Sequence, residues 1–362
     1  MKDPKISNIQ IRAILVSTII GIGILSLPNQ LATAMDKDGW IPIVLSGLLI
    51  IPMIIIINKI FEANPGKDFF MIGNETLGKF FFTIILIIYL TYYIAVCSYI
   101  SRLLGELIKG FLLPETPIQL IVFLFILSSS YVAVSEINII ARVSYLIYPI
   151  VIGFGVLLFL VSLPGSDFTN ILPVFQSDLS QLPEGMKVAL FSFAGFEVLF
   201  FTIPFVEDNR RMTKTSISAI VIVTGLYLVL FLVTLTQFSI QQIKSDPFPL
   251  LMIAKLIDLP GFFLQNLDGL VMSIWVAVIF STFTPLYYSS GKILSKLFKT
   301  KTHAIFILIL VPVIYFIALR PKSIVELNTL MSSVVNYLSG VVVLIVPIIL
   351  FVVGRIRGRN KQ

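Results

Sequence analysis

Gly21-Ile22-Gly23-Ile24-Leu25-Ser26-Leu27-Pro28 lies inside the first long apolar run of this 362-residue chain, which extends over about residues 9–33. A run of that length spans the roughly 30 Å hydrocarbon core of a bilayer as a helix. Two glycines and a proline within about two turns are poor helix formers in a segment otherwise free of breakers. The spacing therefore predicts a spanning helix interrupted near its middle. Ser192-Phe193-Ala194-Gly195-Phe196-Glu197, followed by Pro204, interrupts the run over residues 186–205 in the same manner. Four unbroken runs separate the two, so the broken ones are the first and the sixth.

Working outward, apolar runs fall at about residues 9–33, 40–61, 79–108, 117–135, 142–163, 186–205, 215–238, 265–290, 303–319 and 333–354. Ten spans follow, in an all-α membrane protein with 57% hydrophobic and 12% charged residues. A soluble domain carries about a quarter charged residues. The first run follows Lys2, Lys5 and Arg12, is longer than a signal-peptide core and shows no small-residue cleavage site, so it is expected to stay as span one. The expected organisation is one membrane domain over residues 1–362, with a first repeat at about 9–163, a second at about 186–319, and the tenth span at about 333–354 closing the second half. With the N-terminus in the cytoplasm, 18 of the 26 lysines and arginines lie inside and eight outside. That is the bias of the positive-inside rule, and an even span count brings the C-terminus back to the same side.

Paired breaks in corresponding halves mark five-plus-five inverted-repeat transporters, whose unwound backbone at mid-membrane offers free amides and carbonyls to a solute. A carboxylate suits the positive end of a half-helix. The plainer alternative is that these glycines only allow close helix packing, although Gly21 and Gly23 lack the four-residue spacing of a dimer motif. Glu197 is the one formally charged residue near the centre of a span, where an unpaired carboxylate is costly. It can receive a substrate ammonium, carry a proton, or clamp the loose ends of the sixth helix, and the sequence leaves these three roles open. Tyr92, Tyr93, Cys97 and Ser98 in span three, and Ser281, Thr282 and Thr284 in span eight, stand at depths that can line a cavity; helix-to-helix hydrogen bonding is the commoner use.

Other features read as structural. Arg102 and Glu106 are spaced to pair on one helix face. Cys97 is the single cysteine and reads as a small filler. His303 has no ligand cluster near it and reads as an interface residue. Of the two long outer loops, 164–185 and 239–264, the second is expected to carry a short helix over residues 248–259, lying in the interface, closing over a cavity or simply packing on the surface, and the sequence does not separate these. The net charge of +7 sits at helix ends rather than on a soluble basic module, which argues against a nucleic-acid partner. No phosphate loop, nucleophile elbow or zinc-ligand spacing is visible. An ATP-driven pump and a hydrolase are disfavoured, and no catalytic residue, metal or cofactor is expected.

Gly21-Ile-Gly-Ile-Leu-Ser-Leu-Pro28, Asp38-Gly39-Trp40, Thr116-Pro117-Ile118-Gln119 and Phe193-Ala-Gly-Phe-Glu197, in that order and over nearly the whole chain, resemble the B subunit of spore-germination nutrient receptors. That family lies in the amino acid–polyamine–organocation superfamily, and the resemblance implies a LeuT-like fold with helices one and six broken. It implies a germinant-binding subunit of the spore inner membrane, assembled with a larger A-type membrane subunit and a C-type lipoprotein. The implied ligand is a small nutrient such as an amino acid. By matching position, the ligand cradle is Gly21, Ile22, Gly23 and Ile24 of span one with Phe193, Ala194 and Gly195 of span six. Tyr92, Glu197 and Thr282 stand beside it. Many relatives carry an arginine before the proline of Asn170-Ile171-Leu172-Pro173-Val174; here that position is Leu172, so its role does not transfer. The competing readings are an autonomous amino-acid permease coupled to protons through Glu197, and a scaffold that binds no solute.

Overall fold

The computed structural model describes residues 5–21, 23–207, 209–256, 267–323, 326–327, 335 and 337–359. Among these the chain is helical, with one isolated parallel bridge between Ile6 and Val206. Span one consists of α1 (Asn8–Ile20) and α2 (Gly23–Met35). A reciprocal capping box between Ser7 and Gln10 starts α1. Gly21, at φ +21°, ends it, and a Cβ there would stand 2.7 Å from Thr282 Cγ2. Sterics and the helix break thus select glycine at one position.

The 40 residues Gly23–Glu62 form one apolar helical stretch by composition. At 1.5 Å per residue that is roughly 60 Å, twice the hydrocarbon thickness. The 3₁₀ turn Asp36–Gly39, with Asp36 at φ +49°, divides it into α2 and α3 (Trp40–Glu62), which is span two. A short helix α4 (Phe69–Leu77), capped by Asp68, leads to α5 (Lys79–Phe111), α6 (Ile118–Ala133) and α7 (Ile137–Ser162), spans three to five. Span six is α8 (Leu182–Ser192) and, after the break, α9 (Leu199–Thr202) flanked by 3₁₀ turns; the two arms meet at 42°.

Span seven is α10 (Met212–Gln237), followed by two short helices, α11 (Ile240–Ser245) and α12 (Pro249–Leu256). α12 answers the expected loop helix: it packs on α2 and α10 and buries Leu250, Leu251 and Ile253, while residues 257–259 lie outside the described residues. α13 (Leu267–Leu297), α14 (Ala304–Leu319) and the segment Tyr337–Arg357, ending in α15 (Val346–Arg359), complete the ten spans. α4 has no counterpart among the expected elements, because nine residues are too few to register as an apolar run.

Packing follows the five-plus-five scheme. Span two lies against span seven, three against eight and four against nine, while α1 meets the 3₁₀ turn Phe196–Val198 of span six. The two breaks therefore cross at the centre, inside an apolar core contributed by every span. Arg102 and Glu106 pair at 2.7 Å as their spacing requires. His303 stands at the start of span nine but turns inward: it is 3% exposed, with Nε2 3.1 Å from the Ala133 carbonyl and its ring edge against Tyr288.

Beyond the C-terminal end of α2, Asp38 fastens the loop that precedes span six. Its carboxylate accepts the backbone N–H groups of Phe175 (2.6 Å), Gln176 (2.7 Å) and Ser177 (2.8 Å). The Trp40 ring packs against Phe175 at 5.7 Å, and the Ser177 hydroxyl donates to the Met35 carbonyl at 2.6 Å. Burial alone pushes the Asp38 carboxyl up, but the hydrogen bonds from Ser177, Phe175 and Gln176 outweigh it and hold the group below its ordinary value. The Asp38-Gly39-Trp40 motif thereby ties the turn after span one to the approach to span six.

Candidate solute site

Four elements meet where the breaks cross, and they enclose a cavity of about 70 Å³. Span one contributes Thr18, Gly21, Gly23, Ser26 and Gln30; α5 contributes Tyr92, Val96, Tyr99 and Ile100. Span six contributes Phe191, Ser192, Ala194 and Gly195, and α13 contributes Thr282 and Leu286. Roughly 10–15 Å³ of such space holds one water. The cavity therefore has room for several water-sized groups, enough for a small polar molecule.

Carbonyls freed by the breaks are met by hydroxyls from distant helices. Thr282 of α13 donates to the Ser17 carbonyl at 2.6 Å. Tyr227 of α10 lies 3.0 Å from the Ile19 carbonyl and 2.8 Å from the Ser192 carbonyl, so one phenol serves both breaks. Sequence reading missed Tyr227, and no local signal marks it: its partners lie 208 and 35 positions away. Gly195, at φ +116°, is in the left-handed region, and a Cβ there would stand 2.9 Å from the Thr18 carbonyl oxygen. Only glycine fits this crossing without displacing backbone.

The lining gathers Gly21, Gly23, Tyr92, Ala194, Gly195 and Thr282 from the expected cradle. Three expected residues stand elsewhere, and Ile22 lies outside the described residues. Ile24 is one helical step past Gly23 and points about 100° away, into an apolar pocket with Leu25, Phe154 and Trp275. Phe193 ends α8 with its ring turned against Tyr227, 5.2 Å between centroids, and is fully buried. Glu197 is behind the lining at 0% exposure: Oε2 accepts the Gly195 N–H at 2.7 Å, the Tyr92 hydroxyl lies beside the carboxyl, and Oε1 has no hydrogen-bond partner among the described residues. Ser17 and Thr18, on α1, also carry buried hydroxyls without partners among the described residues. Their appearance at the crossing adds polar capacity that the sequence reading did not anticipate.

No group of three His, Cys, Asp or Glu able to hold a metal occurs among the described residues. Chemically the site offers backbone amides and carbonyls, hydroxyls and an aromatic wall. That equipment suits reversible binding of a small polar molecule.

Solved structures share this architecture. The chain is similar to MhsT in complex with L-phenylalanine, at a TM-score of 0.73 and 13% identity over 97% of this chain and 89% of that one. It is also similar to a Na+-coupled sialic acid symporter, at a TM-score of 0.69 and 13% identity over 94% and 78% of the two chains. In sequence it is 31% identical to spore germination protein GerLB of Bacillus cereus over 99% of this chain and 96% of that one. Spore germination protein YndE of Bacillus subtilis (strain 168) is 25% identical over 99% and 98%. The family model described as "Spore germination protein" matches residues 5–327, and the chain belongs to that family of spore permeases.

Proposed function

We propose that this protein is the nutrient-sensing subunit of a spore germination receptor, binding a small amino acid at the crossing of spans one and six. The observation that supports the reading is the cavity of about 70 Å³ walled by the backbone of Gly21, Gly23 and Gly195. A bound carboxylate is met there by the dipoles of half-helices, and the side chain by Val96, Ile100 and Leu286. Both termini are placed in the cytoplasm, and the membrane is the inner membrane of the spore. Binding shifts the balance between two arrangements of the broken helices, and the shift passes to an A-type subunit and a C-type lipoprotein through the helix faces that remain exposed in the isolated chain.

A second reading draws on Glu197. A fully buried carboxyl with Oε1 unpartnered is equipped to carry a proton, as an autonomous proton-coupled permease requires. The two readings separate in proteoliposomes. The receptor reading expects amino-acid binding without accumulation, and co-purification with the A- and C-type subunits when all three are co-expressed. Uptake by the isolated chain driven by a proton gradient, abolished in Glu197→Gln, establishes the permease instead.

A further inference from the structure

Beneath the central cavity is a second one, of about 230 Å³, between α4, the last part of span six and the final turns of α13. It opens on the face that carries both described ends of the chain: Ile6 pairs with the backbone of Phe205, and Arg357 donates to the Glu75 carbonyl at the end of α4. Its wall is aromatic. Phe70 and Phe201 meet edge to face at 6.0 Å, and Tyr288 is 1% exposed with a hydroxyl that has no hydrogen-bond partner among the described residues. The charges are balanced. Lys296 bonds Asp68 at 3.1 Å and stands 5.2 Å from the centre of the Phe70 ring; Lys292 stands 5.2 Å from the Tyr288 ring and 3.5 Å from Glu136.

The geometry points to a second solute site here, for a zwitterionic amino acid with a large apolar or aromatic side chain. A bare cation meets two ammonium groups and a bare anion meets Asp68, whereas a zwitterion satisfies both. Each ammonium has three donors and uses one in its ion pair, so Lys292 and Lys296 keep donors for a carboxylate. The Asp68 carboxylate receives the ligand's ammonium, and the side chain lies on Phe70 and Phe201. Half-exposed ion pairs are weak, so a ligand rearranges them at small cost. At more than three times the central volume, the cavity admits side chains that the upper site excludes. The class of ligand rests on the proposed function; the residues are independent of it.

The experiment is equilibrium binding of L-phenylalanine and L-alanine to the purified full chain in detergent, in wild type, in Gly21→Val, and in the double variant Lys292→Ala/Lys296→Ala. L-Phenylalanine is expected to bind wild type and Gly21→Val alike and to bind the lysine variant at least tenfold more weakly, while L-alanine loses affinity only in Gly21→Val. Phenylacetate, lacking the ammonium, and phenylalaninamide, lacking the carboxylate, are each expected to bind at least tenfold more weakly than L-phenylalanine. The proposal is overturned if folded wild type binds no L-phenylalanine, if Gly21→Val abolishes its binding while the lysine variant keeps it, or if phenylacetate binds equally well, which would make this a simple anion site. Failure of L-alanine alone would count against the central site and leave the lower one standing.

Discussion

The breaks in spans one and six face each other across one cavity, yet they are held in different ways. The break in span one depends on other helices: Thr282 reaches it from α13 and Tyr227 from α10. The break in span six shares Tyr227 through the Ser192 carbonyl but adds a fastening of its own, because Glu197 closes back onto the Gly195 N–H two residues earlier at 2.7 Å. The arm of span one can therefore be released by small movements of α13 or α10, whereas span six keeps its turn while its surroundings shift. On the proposed function, the first arm is the natural moving part and the second the natural fulcrum.

Gly195→Val attacks the fulcrum where the left-handed backbone and the 2.9 Å approach to the Thr18 carbonyl both forbid a side chain. A loss of about 3 kcal/mol or more is expected, visible as a large fall in Tm or failure to accumulate in the membrane. Glu197→Ala is next: it leaves the buried Gly195 N–H without an acceptor, at a cost of about 2 kcal/mol. Glu197→Gln keeps an acceptor and is expected to recover most of that loss. If Gln is as damaging as Ala, the carboxylate charge rather than the local hydrogen bond holds the turn.

Tyr227→Phe is expected to cost about 1–2 kcal/mol by leaving the Ile19 and Ser192 carbonyls less satisfied. Thr282→Val removes one bond and is expected to cost about 1 kcal/mol. Thr282→Val should also raise hydrogen exchange in residues 13–20 more than in residues 186–192, whereas Tyr227→Phe should raise it in both. Equal effects of Thr282→Val on the two segments would erase the distinction between moving arm and fulcrum. Asp38→Asn, at the latch after α2, leaves at least one of three backbone N–H groups without its acceptor, and its distinguishing signature is in the pH dependence. A carboxyl held below its ordinary value stabilises the fold above the unfolded pKa, and the contribution is lost as the pH falls through the folded pKa. Wild type should therefore lose stability relative to Asp38→Asn as the pH is lowered below about 4, and parallel profiles would remove Asp38 from the latch.

The same difference explains what the sequence made legible. Both breaks were readable because glycine and proline act within a turn or two of themselves, and the ten spans because apolar length is a local property. The side chains that finish the breaks were less so. Thr282 could be named as a candidate but not as the partner of Ser17, 265 positions away, and Tyr227 carries no mark at all among the polar residues of α10. The orientation of Phe193 and Ile24 depended on where each half-helix ends, a matter of one residue that a run of apolar sequence does not fix. The lower cavity was invisible for the same reason, since Asp68, Phe201 and Lys296 come from three separate stretches of chain.

The account stands most directly on where the solute binds. Wild type and Gly21→Val, shown by circular dichroism to be equally helical, should be compared by thermal shift against a panel of small amino acids, sugars and nucleosides. The account predicts that a small amino acid stabilises the wild type and that the shift disappears in Gly21→Val, where the added side chain meets Thr282 and fills the crossing. An undiminished shift in Gly21→Val would contradict it and place the solute away from the broken helices.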